Sequence, residues 1–431
     1  MPNQNKALGF WRGWALVVGG TIGSGIFLMP TILAPYGLMG LIGWLIAGVG
    51  AILLSLMLAD LSRRIPKIGG PYAYARAGFG DFIGFWIGWG YWISVWSATA
   101  AVAVACTGYI GFFVPSLVSN PLLSTCFTLS LIWALTFVNI RSMVAAGQVQ
   151  LITTILKILP LVFVGILGLS VGSTSNFPEI NPSGGNMIAA IATSVTLVMW
   201  AFVGLEGGTI PADDIVEPEK TIPRILVLGT TTVLVVYFLA YVGVILLVPA
   251  DQLVNSTAPF ADAVVMVIGG VGASVIAIGA IIATFGTLNT QVLLSGQIVR
   301  AVAEDKLFPP RIGKLGSSGT PKTALIISSI LASILVIMNY TEGLVAAFTM
   351  MILLSTLTTL IPLSFAAVSA LMFISKDAPS SQKTGALITA LLAFLYSLFV
   401  IVGAGAETVF YGFILLMAAL PFYALIRRAN P

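Results

Sequence analysis

VVGGTIGSGIFLMP (residues 17–30) lies at the centre of one long apolar run, and MWAFVGLEGGTIP (199–211) lies at the centre of another. The first carries Gly19, Gly20, Gly23 and Gly25; the second carries Gly204, Gly207 and Gly208. A glycine inside a helix costs about 0.5–1 kcal/mol relative to alanine, so clusters at mid-membrane depth need a reason. Close packing of helices through small residues is one. A helix that unwinds is the other, and bare backbone at that depth is tolerated only where it lines a cavity or is buried in protein. The unwound reading has two supports. The disturbed segments are the first and the sixth, the spacing expected of two inverted five-helix repeats. An ionisable residue, Glu206, also stands beside the second glycine cluster.

The rest of the chain fixes the solvent. Of 431 residues, 58% are hydrophobic and 8% are charged, against roughly 25% charged in soluble domains. A spanning helix needs about 20 apolar residues, and such runs recur at 13–33, 38–60, 82–114, 122–140, 146–171, 187–210, 225–248, 263–295, 323–339, 345–372, 385–404 and 407–426. The fold class is therefore an all-α integral membrane protein of about twelve transmembrane helices. MPNQNKALGFWRGW leads into the first run without a small-residue cleavage site, so no removable signal is expected. No polar domain or long linker interrupts the chain, which reads as one domain over 1–431, with repeats at 11–171 and 187–372 and two additional helices over 385–426.

The net charge of +4 follows topology. One set of loops carries Lys6, Arg12, Arg63, Arg64, Lys67, Arg76, Arg141, Lys220, Arg224, Arg300, Lys306, Arg311, Lys314, Lys322, Lys376, Lys383, Arg427 and Arg428. The alternate set, around Pro35, Ser116, Phe177, Asp251, Tyr340 and Gly405, carries no lysine or arginine. The positive-inside rule puts both termini in the cytoplasm, with the chain as a multi-pass protein of the cell (inner) membrane. No nucleic-acid partner is expected. The chain has no histidine, which removes imidazole metal sites, Ser-His-Asp triads and imidazole relays. Cys106 and Cys126 both fall inside apolar runs and read as small packing residues. No metal, cofactor or catalytic residue is expected, and the chain is not read as an enzyme.

A broken helix presents both ends of the peptide dipole at one depth. The amides of Ser24, Gly25 and Ile26, with the Ser24 hydroxyl nearby, would receive a carboxylate. Carbonyls near Thr21, Trp200 and Val203 would receive an ammonium. A zwitterionic α-amino acid fits such a site without a charged side chain. The GSG triplet has neither a GxxxxGK pattern nor a preceding strand, so a phosphate cradle is a poor reading.

Two charges lie at membrane depth. Glu206 reads as a pH-sensing or proton-exchanging group, or as a protonated acid tying two helices together. Lys157, in LITTILKILPLVFVG, either snorkels toward the cytoplasmic face or places its ammonium where a coupling cation would sit, between segments one, five and eight. Tyr91, Trp92, Trp96, Trp200 and Phe202 fall near mid-membrane, and an aromatic face beside an amine site can bind a cation. Trp86 and Trp89 read as packing or interface anchors. Asn289 and Gln291, in GTLNTQVLLSGQ, are polar enough to be expected to face inward.

These pieces resemble the amino acid–polyamine–organocation superfamily, and within it the basic amino acid and polyamine antiporter branch. The resemblance runs from about Gly19 to the last helix. It rests on GGTIGSGIFLMP, GGPYAYARAGFGDFIGF (69–85), YWISVW (91–96), WAFVGLEGG (200–208), VEPEKTIPRI (216–225) and LLSGQIVRAVAEDKLFPP (293–310). It implies the LeuT-like fold, alternating access, and dimerisation through helices eleven and twelve. Residue by residue, it implies that Ser24 and Gly25 bind the substrate carboxylate and that Thr21, Trp200 and Val203 hold the amine. Trp200 closes over the substrate, while Tyr91 and Glu206 form a gating and pH-sensing pair. Thr99 and Val102 match side-chain-pocket positions, Ser355 a polar pocket residue, and Phe348 a gating aromatic.

The chain also departs from that branch. Arginine-exchanging members carry a second tryptophan where Gln291 stands, an asparagine where Thr99 stands and a tyrosine where Leu363 stands. Those departures put arginine itself in doubt as the substrate. Lys157 instead resembles a lysine of proton-coupled, sodium-independent amino acid transporters of the same superfamily. The leading expectation is sodium-independent secondary transport of an amino acid or its amine product by exchange. The alternatives are proton-coupled symport using Lys157, a non-transporting solute sensor, a channel, and, most remote, a membrane enzyme.

Overall fold

The structure is a computed structural model and describes residues 9–65, 69–141, 146–209, 215–316, 319–339, 341–374 and 380–429. Lys6, Lys67, Tyr340 and Lys376, used in the loop-charge argument, lie outside the described residues, as do the side chains of Arg12 and Arg427. Hydrocarbon leaves backbone polar groups no partner but one another, and the described residues fold as helices with no strand among them.

The first apolar run forms α1 (Phe10–Thr21) and α2 (Ser24–Leu33). Then follow α3 (Leu38–Arg64), α4 (Pro71–Gly111), the short α5 (Ser116–Ser119), α6 (Pro121–Arg141) and α7 (Ala146–Val171). The sixth run gives α8 (Met187–Trp200), and a 3-10 turn covers Leu205–Thr209. Beyond it lie α9 (Pro218–Leu247), α10 (Ala250–Leu253), α11 (Pro259–Ile268), α12 (Gly270–Glu304) and α13 (Pro310–Gly313). The chain closes with α14 (Lys322–Met338), α15 (Leu344–Met372), α16 (Ser380–Gly403), α17 (Ala406–Met417) and α18 (Ala419–Ala429).

Among the described residues, nine stretches are long and apolar enough to cross a membrane; Leu156–Val171, Met187–Trp200, Pro259–Ile268 and Lys322–Met338 are shorter apolar helices. At 1.5 Å per residue a helix as short as α8 spans a membrane only with help from the non-helical chain that follows it.

Several boundaries differ from the sequence expectation, among them the start of α9 at Pro218 and the end of α12 at Glu304. The third run starts earlier, because α4 continues back to Pro71 across a bend at Gly80, where φ is 80°. The run expected to begin at 263 is two helices, α11 and α12, meeting at Gly269. The last run breaks at Ala418 between α17 and α18. Apolar periodicity cannot see the breaks at Gly269 and Ala418, since both sides of each are equally hydrophobic, whereas Arg76 and Asp81 make the start of α4 read as a loop.

Polar contacts fix the frame around the core. Trp86 and Trp89 donate their indole N–H groups to the carbonyls of Leu416 and Leu415, at 3.2 and 2.9 Å, anchoring α17 to α4. At the end rich in basic residues, Arg76 pairs with Asp81 at 3.0 Å and with Asp305 at 2.6 Å, and the Tyr72 hydroxyl donates to Asp305 at 2.7 Å. These bonds hold the start of α4 against the end of α12. Cys106 is buried as expected; Cys126 is exposed on α6 and fills no interior space.

Candidate functional site

Both glycine-rich stretches lose their winding. Between α1 and α2 the chain is extended at Ile22 (φ −71°, ψ 98°) and turns at Gly23. After α8, residues 201–204 form turns before the short 3-10 segment. Gly207 and Gly208 give the second half of this run little to hold an α-helix together, and a single 3-10 turn stands where a second half-helix was expected.

The two interruptions touch. A Cβ on Gly25 would stand 2.7 Å from the Ala201 Cα, a backbone atom, so only glycine permits this approach. Gly204 has φ 108°, a left-handed conformation that L side chains resist, and a Cβ there would meet the Gly20 carbonyl oxygen at 2.9 Å. Thr21, Ser24, Gly25, Ile26, Trp200 and Val203 are thereby gathered around one junction.

The electrostatics of the junction follow from its loose ends. No side chain caps α2, whose first turn is buried, so its leading N–H groups carry the uncancelled positive end of the helix dipole. The Ser24 hydroxyl and the Trp200 indole N–H are buried and find no hydrogen-bond partner among the described residues. A buried polar group without a partner costs about 1–3 kcal/mol, which a ligand's oxygen or carboxylate would relieve. On the accepting side, the Thr21 carbonyl already takes the Tyr237 hydroxyl at 2.9 Å, and the Trp200 carbonyl takes the Val203 N–H at 3.1 Å. Each carbonyl oxygen keeps a second lone pair for an ammonium.

Glu206 closes one side of the junction. Its Oε1 accepts the Tyr91 hydroxyl at 3.0 Å, and its Oε2 accepts the Gly204 N–H at 3.0 Å. The carboxyl group thus ties α4 to the irregular chain after α8. Lys157 is 1% exposed, which removes the snorkelling reading. Its Nζ donates to the Gly19 carbonyl at 3.2 Å and to Thr287 Oγ1 at 3.1 Å, linking α7, α1 and α12.

The remaining candidates occupy mixed positions. Gln291 is buried on α12, one turn beyond Thr287. Asn289 accepts from Asn139 Nδ2 at 2.7 Å, so it faces inward, toward α6. Thr99 donates to the Val95 carbonyl of its own helix at 2.9 Å. Ser355 donates to the Ser94 carbonyl at 2.8 Å, a bond that fastens α15 to α4. These two hydroxyls therefore offer a ligand their lone pairs, not their protons. Phe348 is fully buried on α15.

Two contributors escaped the sequence reading. Thr287 bonds Lys157 and lies 3.4 Å from the Ile22 carbonyl at the break; its place four residues before Gln291, on the same helix face, was the available signal. Tyr237 bonds the last carbonyl of α1, and nothing in its local sequence marks that role.

A family model described as amino acid permease matches residues 8–424. The chain is 31% identical over 412 residues to an arginine/ornithine antiporter of Pseudomonas aeruginosa, an alignment covering 91% of this chain and 85% of that protein. It is 28% identical over 429 residues to a putrescine transporter of Haemophilus influenzae (99% and 98% covered), and 27% identical over 428 residues to a cadaverine/lysine antiporter of Escherichia coli (97% and 95%). The family and these relatives are transporters rather than enzymes. The chain, a multi-pass membrane protein with two interrupted helices packed against each other, belongs to the amino acid permease family.

Proposed function

We propose that this chain exchanges an amino acid for an amine or a second amino acid across the cytoplasmic membrane, by alternating access and without sodium. One observation carries the reading. The uncapped, buried start of α2 meets the unwound end of α8, with the unpartnered Ser24 hydroxyl and Trp200 indole beside the contact. Such a junction suits a ligand bearing a carboxylate and an ammonium. The antiporters among the relatives support exchange, and the arginine, ornithine, putrescine, lysine and cadaverine of their names support a basic amino acid or diamine as cargo. Thr21, Ser24, Gly25, Ile26, Trp200 and Val203 would hold the backbone of the solute. Thr99, Gln291 and Ser355 would face its side chain, while Tyr91, Glu206 and Phe348 would gate it.

The finer architecture belongs to the same proposal. The nine long stretches, with α7, α8 and α14, make twelve spans in one transporter domain: two inverted five-helix repeats, then α16 and the α17–α18 pair. Basic residues such as Arg63, Arg64, Arg141, Lys220, Arg300 and Lys322 fall at one set of helix ends, which supports cytoplasmic termini. Exposed apolar faces on α16 and α17, including Leu395, Val402 and Phe413, would serve a homodimer or the lipid.

Lys157 favours a second reading, proton-coupled symport. Its ammonium bonds a break carbonyl and the Thr287 hydroxyl, where a coupling cation would otherwise be held by oxygen atoms. Purified protein in liposomes separates the two. Uptake of labelled ornithine, lysine or putrescine that requires the same compounds inside supports exchange. Concentrative uptake into empty vesicles under an imposed pH gradient supports symport. Absence of both refutes transport of these solutes.

A further inference from the structure

Thr356 and Thr359 of α15 are 0% and 1% exposed, and their hydroxyls meet no hydrogen-bond partner among the described residues. A hydroxyl in a helix commonly bonds the carbonyl four residues back, and Thr349, Thr358 and Ser364 of the same helix do so, each at 2.8 Å. Thr356 and Thr359 forgo that bond. Their oxygens are also out of reach of water, so two hydroxyl protons stand unused in the interior, where an unmade hydrogen bond is costly.

The two threonines share one stripe of α15. Phe348, Ile352, Thr356, Thr359 and Leu363 follow one another at steps of four, four, three and four, which keeps them on one helix face. All of them are buried. Thr359 also lies four residues beyond Ser355, a spacing that puts their Cβ atoms about 5–6 Å apart. Because α15 packs on α4, α2 and α8, it borders both helices that meet at the interrupted junction.

The hydroxyls here are of two kinds. Ser355 and Thr99 give their protons to the Ser94 and Val95 carbonyls and keep only lone pairs for a solute. Thr356 and Thr359 keep their protons. An ammonium or guanidinium donates and cannot accept, so a basic side chain answers only the first kind. A side-chain amide answers both, because its NH2 donates while its carbonyl accepts.

We infer that Thr356 and Thr359 are specificity-determining residues, and that one of the two exchanged solutes is an amino acid with a neutral side-chain amide, whose carbonyl takes their protons. The inference rests on the proposed exchange and names the class of one solute.

Isothermal titration calorimetry of the purified full chain with L-glutamine, L-norleucine and L-lysine tests it. Wild type should bind L-glutamine about tenfold or more tightly than L-norleucine, which has a similar length but no side-chain donor or acceptor. Thr356→Val and Thr359→Val should each weaken L-glutamine about three- to tenfold and leave L-lysine unchanged. Thr359→Ser keeps the hydroxyl and should restore L-glutamine binding. Ser369→Ala removes another unpartnered hydroxyl of α15, one packed against Gly78, and should change nothing. Without ligand, neither valine variant should melt below wild type, since no bond is lost. A lower melting temperature would show that the hydroxyls are already bonded, and overturns the inference. Equal weakening of L-glutamine and L-lysine, or of neither, overturns the specificity role. If a valine variant cannot be purified, the wild-type preference for L-glutamine over L-norleucine alone decides. Binding of L-lysine without L-glutamine overturns this inference and leaves the exchange reading standing. Binding of L-glutamine without L-lysine, L-ornithine or putrescine supports it and removes basic cargo from that reading.

Discussion

Gly25→Ala is the sharpest perturbation of the junction, because a single methyl group would be placed against a backbone atom. The new Cβ would stand 2.7 Å from the Ala201 Cα, 3.1 Å from its Cβ and 3.4 Å from its nitrogen. Carbon atoms rest at about 3.5–4.0 Å, so the start of α2 and the end of α8 must separate by about 1 Å. Neither partner has a rotamer to turn away, and both are buried. Overpacking of this kind costs about 1–3 kcal/mol. The same separation moves the Ser24 and Ile26 amides from the Trp200 side of the site, and an equal loss in binding is a fall of about five- to 150-fold in affinity. Scintillation-proximity binding of labelled substrate to purified protein reads the affinity, and a thermal-denaturation scan reads the stability. Gly207→Ala is the matched control: nothing stands within 4 Å of a Cβ there, so it should behave as wild type. Wild-type affinity and thermal stability in Gly25→Ala would refute the contact between the two breaks.

Removing the Trp200 ring (Trp200→Ala) takes away the aromatic face and the unpartnered indole, and affinity should drop about 2- to 30-fold with expression unchanged; normal affinity would take Trp200 out of the site. Glu206→Gln replaces one of the two accepting oxygens with an NH2 group, so either the Tyr91 hydroxyl or the Gly204 N–H loses its acceptor, which should cost about 1–3 kcal/mol in stability together with a flattened pH–transport profile in proteoliposomes. An unchanged profile would leave Glu206 as a helix tie alone. Lys157→Met keeps the length of the side chain but removes both donations to Gly19 and Thr287; uptake driven by an imposed pH gradient should vanish. Wild-type proton-driven uptake in that variant would exclude Lys157 from coupling.

The parts of the molecule legible in the sequence are those with a short-range cause. Gly19, Gly20, Gly23 and Gly25 announce a break because they weaken winding locally, and the structure interrupts the helix at Ile22–Gly23. Gly204 and its neighbours do the same after Trp200. The pairing of Tyr91 with Glu206 was reachable only through resemblance, since 115 residues separate them. Tyr237 was missed for the same reason: its hydroxyl acts through a contact 216 residues distant, which no local pattern encodes; Thr287 reaches the Ile22 carbonyl 265 residues away, and only its helix face, shared with Gln291, hints at it. Asn289 needed no long-range information: its polarity alone implies an inward-facing amide, and it faces Asn139 on α6. The breaks at Gly269 and Ala418 were silent because the flanking residues are apolar on both sides, and the helix before Gly80 was missed because Arg76 and Asp81 make that stretch read as a loop.

The proposed transport depends on bare amide groups of the α1–α2 break receiving the solute's carboxylate. Hydrogen–deuterium exchange of the liposome-reconstituted protein, with and without saturating substrate, reads those amides directly. Slower exchange confined to residues 22–26 and 201–205 in the presence of substrate is the predicted result. Unchanged exchange at Ser24, Gly25 and Ile26 while substrate is demonstrably bound would contradict it.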